Sequence, residues 1–446
     1  MYNGKGSLII GSFIFVMMQF KAISQEDTVV SINEDTLVSP VYTVNDKMDF
    51  KTVESVSYNL YLNKDWKTLC IYGEKAVHLK IDYYYIRVRL GVAYFELKHY
   101  REATGQFKRA LEFNAGDEFA MGYLYSCYLL TERFDEAKWL TRSFSPVLAE
   151  STNSNYFSAM DYVSVESGFK SVENTRFKDP YFFSAGLAHS IARRIFLFHN
   201  FSYYSQDESR FNVQQLQYYL RCNLPLKNNF LLAGGFHFVG VSSNDKSEAP
   251  VYSKTERMTQ QGIRVDSTIS GFRETLTLRK TFGYIGAFTL TKRLTFFDFS
   301  IGTTVANYDT TYQYQANAGV TFYPLKNNKI SFGANMYYHL ETTGNQSNIA
   351  CAPFLNAYIS SKIHLSISYL NNRGANITEA TGYFVSNSLD YTTERWAFTA
   401  SFKANSTVWV YGTYGYEKKR FNSPREDFRY YYHILAAGLK IIPQFK

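Results

Sequence analysis

Ile330-Ser331-Phe332-Gly333-Ala334-Asn335-Met336-Tyr337-Tyr338-His339-Leu340 alternates along its length. Every even position is apolar or aromatic, and the odd positions are Ser, Gly, Asn, Tyr and His. A period of two puts one set of side chains on each face of a strand. The same alternation recurs in Ile363-His364-Leu365-Ser366-Ile367-Ser368-Tyr369, with the odd positions apolar. It recurs again where Leu216, Tyr218, Leu220, Cys222 and Leu224 are set against Gln215, Gln217, Tyr219, Arg221 and Asn223. Trp396, Phe398, Ala400 and Phe402 oppose Ala397, Thr399, Ser401 and Lys403 in the same way.

Working outward from these stretches, the pattern predicts strands near 160–171, 180–190, 194–205, 210–224, 229–242, 275–290, 293–306, 309–323, 328–341, 346–360, 362–371, 391–403, 406–418 and 428–441. That is fourteen, an even number, which returns both ends of the sheet to one side. Short turns alternate with longer loops. Pro225-Leu226-Lys227-Asn228-Asn229 and its near copy Pro324-Leu325-Lys326-Asn327-Asn328 are turns, as are Thr291-Lys292-Arg293, Ser360-Ser361 and Asn405-Ser406. The loops at 243–274, 372–390 and 419–427 fall on the other side. Long strands, aromatic residues near strand ends and this asymmetry of turns favour an antiparallel transmembrane β-barrel over 158–446. A soluble sandwich is the alternative. Aromatic residues make up 18% of the chain, with 38 Tyr and 37 Phe, more than a soluble core requires. The mean hydropathy of −0.26 argues against a helical membrane protein but not against a barrel with a polar lumen.

The N-terminus carries Lys5, an apolar run from Leu8 to Met18, and Ala22-Ile23-Ser24-Gln25. Charge, apolar core and small residues in that order read as a signal peptide over 1–24, cut near Ser24. A flexible periplasmic segment over 25–44 is expected to follow. Over 45–147 a period of 34 appears: Trp66, Tyr100 and Phe134; Leu60, Tyr94 and Tyr128; Leu69, Ala103 and Ala137; Ala76 and Ala110. The expected fold class is therefore α + β and multidomain, a short helical solenoid followed by the barrel. The repeats resemble the tetratricopeptide repeat, most clearly in Leu90-Gly91, Tyr94, Tyr100, Ala103, Phe107 and Ala110. That resemblance implies a concave groove for a partner. Lys64, Arg87, Arg89 and Tyr125 are candidates on it.

Chemistry is sparse. The net charge of +8 is not gathered into one basic run, so no nucleic-acid footprint is present. Cys70, Cys127, Cys222 and Cys351 show neither zinc nor disulfide spacing. The strand phase points Gln215, Gln217, Arg221, His237, Asp298, Asn335, His339, His364, Lys403 and Glu417 into the lumen. Such a lumen is either a water path or a plug of hydrogen-bonded side chains. His189, Ser190, His199 and Ser202 make no Ser–His dyad within one strand. His237, His339 and His364 lack metal-ligand spacing. No catalytic, cofactor or metal site is expected.

Signal peptide, repeats and barrel in that order resemble the YaiO-like outer-membrane barrel proteins. Gly382-Tyr383-Phe384-Val385-Ser386-Asn387-Ser388-Leu389-Asp390 and Tyr411-Gly412-Thr413-Tyr414-Gly415-Tyr416-Glu417-Lys418-Lys419 carry the likeness. A looser likeness is to exporters of poly-N-acetylglucosamine. The first expectation is a non-enzymatic anchor in outer-membrane lipid whose periplasmic repeats bind an envelope protein. An export or uptake channel, for instance for polysaccharide, and a lipid-modifying barrel are the alternatives.

Overall fold

The computed structural model describes residues 48–154, 160–172, 179–207, 211–259, 262–308, 311–342, 346–372, 376–385, 391–422 and 427–443. The expected signal peptide and the segment 25–44 lie outside the described residues.

The described chain begins as seven helices: α1 (Phe50–Leu62), α2 (Trp66–His78), α3 (Tyr84–Glu96), α4 (Tyr100–Phe113), α5 (Glu118–Leu130), α6 (Phe134–Leu140) and α7 (Pro146–Ser151). Asp49, Asp65, Asp117 and Ser145 start α1, α2, α5 and α7 by accepting a hydrogen bond from a backbone N–H three residues on. Trp66, Tyr100 and Phe134 open α2, α4 and α6, so the 34-residue spacing coincides with the start of every second helix. The turns before them repeat as well. Lys64, Lys98 and Glu132, also 34 apart, all take positive φ. Leu69, Ala103 and Ala137 are buried where consecutive helices meet. Gly91 lies so close to Phe107 that a Cβ there would fall 2.7 Å from its ring. Small residues therefore set the helix spacing and aromatic rings fill it.

The sheet then runs β1 (Tyr162–Val172), β2 (Tyr181–Ile191), β3 (Ile195–Asp207), β4 (Phe211–Pro225), β5 (Phe230–Thr259), β6 (Gly262–Arg293), β7 (Phe297–Tyr308), β8 (Thr311–Phe322), β9 (Ile330–Glu341), β10 (Gln346–Tyr358), β11 (Ile363–Asn371), β12 (Thr378–Glu379), β13 (Phe384–Val385), β14 (Tyr391–Lys403), β15 (Val408–Asn422) and β16 (Asp427–Ile441). Fourteen of these form one closed antiparallel barrel, with β1 pairing β16 from Val163↔Ile441 to Val172↔Tyr432. The barrel is of the outer-membrane type. Its outer face carries Leu216 (60% exposed), Phe288 (61%) and Ile301 (64%), among many other large apolar residues. Apolar surface on this scale needs lipid or a partner to cover it. No helix among the described residues is long and apolar enough to cross a membrane.

Two of the expected loops are not loops. Residues 243–274 continue the ladder: β5 and β6 remain paired as far as Thr259↔Gly262. β4 leaves β5 at Asp245, and β7 leaves β6 at Tyr284. Beyond those points the two strands form a ribbon without sheet neighbours. The second exception, 372–390, contains the β12–β13 hairpin, paired Thr378↔Val385 and Glu379↔Phe384.

Leu216→Arg should separate the two faces. A cation on the lipid side costs about 2–4 kcal/mol near the bilayer midplane. Refolding into lipid vesicles, followed in urea, is expected to show that loss for Leu216→Arg and a much smaller one for Gln217→Arg.

Candidate functional site

The β12–β13 hairpin does not stand outside the barrel. It enters the lumen from the long-loop end and bonds to the inner wall along its length. On the near leg, Gln315 donates Nε2–H to Thr378 O (2.7 Å) and accepts Thr378 N–H (3.1 Å). Arg395 pairs with Glu379 at 2.5 Å. At the tip, Tyr219 Oη donates to Thr381 O (3.0 Å) and His237 Nδ1 to Gly382 O (2.8 Å). Thr289 Oγ1 and Thr381 Oγ1 lie 3.2 Å apart. The wall makes room for the tip at Gly235, where a Cβ would sit 2.0 Å from Thr381 O. Ala380 (φ 50°), Thr381 (φ 56°) and Gly382 (φ 88°) all take left-handed backbone conformations. Glycine adopts these freely, but a β-branched residue does so at a cost of order 1–3 kcal/mol. The tip is strained and is held by its contacts with the wall.

Between the tip and the short-turn end lies a cavity of about 250 Å³, lined by Tyr162, Phe196, Phe198, Tyr219, Arg221, Ala380 and Tyr383. Its walls come from β1, β3, β4 and the hairpin. Tyr383 packs edge-on to Tyr219 with ring centres 5.0 Å apart.

The helices close the short-turn end, and α4 and α6 make most of the docking. The buried Arg101 donates to Thr295 O (2.8 Å) and Leu294 O (2.6 Å), pairs with Asp298, and lies 3.7 Å over the Tyr323 ring. Its backbone N–H donates to Lys326 O, and Lys326 pairs with Glu102 at 2.8 Å. Asn327 donates to Lys98 O (3.0 Å). Lys108 and Arg133 both donate to Asn229 Oδ1. The two near-copy turns at 225–229 and 324–328 are thus both docking points for the helices. Glu136 is buried between Arg133 (3.0 Å) and Arg293 (2.6 Å). Burial works to raise its carboxyl pKa, but Arg293 and Arg133 outweigh this and hold it below the usual value. Lys108 shows the opposite balance: burial, with Arg133, Lys292 and Arg293 nearby, pushes its ammonium down to about 8. Asp135 accepts from Asn223 (3.0 Å), and Lys138 pairs with Asp161 and donates to Ser190.

The residues singled out in the sequence are not brought together in one place. His237 and Gln217 (2.9 Å apart) sit below the hairpin tip, and Glu417 takes bonds from Lys170 and Thr392. Arg221 lines the cavity, and Asp298 is taken up by Arg101 at the cap. Gln215 and His339 are buried, and both ring nitrogens of His339 lack a protein partner. Asn335 lies against Gly319, His364 packs at a tilt on Tyr358, and Lys403 lies over Trp409. His237, His339 and His364 stand on β5, β9 and β11, which are not neighbours. Among the described residues no cluster of three or more His, Cys, Asp or Glu is placed to hold a metal ion. His189 and His199 stack, with Nε2 atoms 3.1 Å apart, and Tyr218 meets His199 Nδ1 at 2.9 Å. Ser190 instead donates to Asp161, so no Ser–His pair forms here. On the helices, Arg87 is bound to Asp82 and Gln106, and Arg89 to Glu54 and Ser57. Lys64 stands in the turn between α1 and α2, and Tyr125 packs on Phe144. Tyr219, Gly235 and Thr381 were not singled out, because an aromatic, a glycine and a loop threonine carry no functional signal without the inward fold of the hairpin.

No family model matches the chain, and neither does any curated protein. The YaiO-like resemblance thus finds no support there. Among solved structures, the chain is similar to a Pseudomonas aeruginosa FadL homologue (9% identity, TM-score 0.40, covering 63% of this chain and 89% of that one). It is also similar to the P. putida toluene transporter TodX (8%, 0.40, 68% and 95%). The translocator domain of the autotransporter NalP from Neisseria meningitidis matches at 9%, 0.30, 71% and 99%. Likeness at this level does not select a function.

Removing one partner of a buried ion pair leaves an uncompensated charge and costs about 3–5 kcal/mol. Glu136→Gln is expected to loosen the cap by that order, read as faster proteolysis of 48–154 with the barrel intact, and Glu136→Gln/Arg293→Gln to recover part of it. The pH dependence has two signs. Glu136, with a depressed pKa, stabilises docking at neutral pH and loses that contribution as pH falls through its folded value. Lys108, also depressed, makes docking strengthen as pH rises from about 8 towards 10.5. Thermal melts across that range are expected to rise for the wild type and to stay flatter for Lys108→Met.

Proposed function

We propose that the protein is a gated conduit of the outer membrane, closed by a hairpin in the lumen and a helical cap at its short-turn mouth. On this reading that mouth faces the periplasm and the ribbon of β5 and β6 the outside, in keeping with the expected export signal and the even strand count. One observation carries the reading: a backbone hairpin lodged in the lumen, strained at Ala380 and Thr381 and held by hydrogen bonds to side chains of the wall. An anchor needs no insert held in left-handed backbone at Ala380 and Thr381. A conduit needs an insert that can leave.

A second reading, in which tetratricopeptide-like helices hold a periplasmic protein, has one observation in its favour. The docking bonds to the barrel come from α4, α6 and the turns beside them, while Tyr58 and Tyr85 on α1 and α3 are 48% and 58% exposed on either side of Arg89. A pull-down with the full chain that is lost on Tyr58→Ala/Tyr85→Ala would support it.

Gly235→Val tests the conduit directly, because its side chain occupies the place of Thr381 O. In planar bilayers the wild type is expected to conduct rarely. Gly235→Val, or replacement of 376–385 by a short Gly-Ser link, should raise conductance by about tenfold or more. A barrel that stays silent in both variants, and also when Arg101→Ala and Arg293→Ala release the cap, would contradict the conduit.

A further inference from the structure

We infer that the cavity beneath the hairpin tip binds a small planar aromatic carboxylate, an assignment that rests on the conduit reading for its meaning as a station on the path. The size fits. About 250 Å³ is available, and an apolar cavity of roughly 150 Å³ already holds benzene. The lining fits as well. Tyr162, Phe196, Phe198, Tyr219 and Tyr383 are rings from four separate elements that converge on one space. Phe198 meets Tyr383 at 6.0 Å and Tyr219 at 6.4 Å between ring centres, both inclined rather than stacked. The rings therefore present edges as well as faces inward, which suits the quadrupole of an aromatic guest. The Tyr219 hydroxyl is already used on Thr381 O, so what that residue offers the cavity is its ring.

The charge comes from Arg221. Arg293 and Arg395 on the same inner wall are each paired with a carboxylate, Glu136 and Glu379. Arg221 is not. Its Nε donates to the amide of Asn223 at 2.8 Å, and the described residues place no carboxylate within ion-pair distance of it. Asn223 in turn donates to Asp135, so a neutral amide stands between Arg221 and the nearby acid. The rest of the guanidinium fork remains available, and a planar fork of N–H donors matches a carboxylate. A neutral hydrocarbon would leave the rest of the Arg221 fork without an acceptor. A sugar would find too few hydrogen-bonding groups among the rings. An aromatic ring bearing one carboxylate satisfies both halves of the site.

The test uses the full chain in detergent and fluorine NMR of para-fluorobenzoate, with the neutral isostere para-fluorobenzamide as comparison. Saturable binding of the acid is expected, about tenfold tighter than the amide. Arg221→Gln should abolish that preference, while Arg221→Lys, which keeps the charge, should hold the acid within about fivefold of wild type. Ala380→Phe, which fills the space without touching the cation, should remove binding of both ligands. A heat-shifted band on electrophoresis shows that each variant still forms the barrel. No saturable binding of the acid, equal affinity for acid and amide, or an unchanged preference in Arg221→Gln would overturn the assignment. Binding without conductance in the Gly235→Val barrel contradicts the conduit alone. Conductance without binding contradicts this site alone.

Discussion

The pairing of β1 with β16 is the interaction on which the rest of the molecule depends. Inside a bilayer no water is present to satisfy a free strand edge, so the sheet must close on itself. Closure over fourteen strands then sets the next problem. A ring of that size encloses more space than its own inward side chains fill. Something else must occupy the lumen, or water will. Here the occupant is a piece of backbone, and backbone brings hydrogen-bonding groups of its own. Gln315, Tyr219 and His237 are the wall's answer to those groups, and Gly235 is the room left for them.

The same closure aligns the short turns into a rim. A rim of turns exposes carbonyls and amide side chains, which suit charged helix faces better than apolar ones. Arg101 takes two such carbonyls and Asp298 together, and Asn229 receives both Lys108 and Arg133. Ionic docking of this kind is specific in geometry and modest in net stability, because desolvation offsets much of the attraction. That balance suits a cap that must hold its place and also let go. It also explains why the cap carries charges of conflicting tendency, with Glu136 held ionised and Lys108 strained towards neutrality.

Much of the barrel was legible because its periodicity is enforced at every strand. Ile330–Leu340 could be read as a strand since lipid and lumen make opposite demands on alternate residues. The start of α2, α4 and α6 was legible through Trp66, Tyr100 and Phe134, which open successive helices at a fixed spacing. What escaped was everything set by tertiary contact. The segment 372–390 has the composition of a surface loop, and nothing local says that it turns inward. Asp298 and Arg293 read as lumen or turn charges, yet their partners, Arg101 and Glu136, lie more than 150 residues away. Arg221 lines the cavity, but its lack of a carboxylate partner is visible only once its surroundings are known. The ribbon beyond Asp245 escaped for another reason: without neighbours on either side its faces are not pushed apart in composition.

The central claim is that the hairpin tip is a removable closure. Thr289 and Thr381 face each other across it with their hydroxyls 3.2 Å apart. Replacing both by cysteine, in a chain whose Cys70, Cys127, Cys222 and Cys351 are changed to serine, makes a lock that can be opened chemically. Current through single barrels, recorded before and after reduction, is the direct measurement. The account predicts silence while the lock is oxidised and openings once it is reduced. Equal current in both states, with the disulfide shown to have formed, would contradict it.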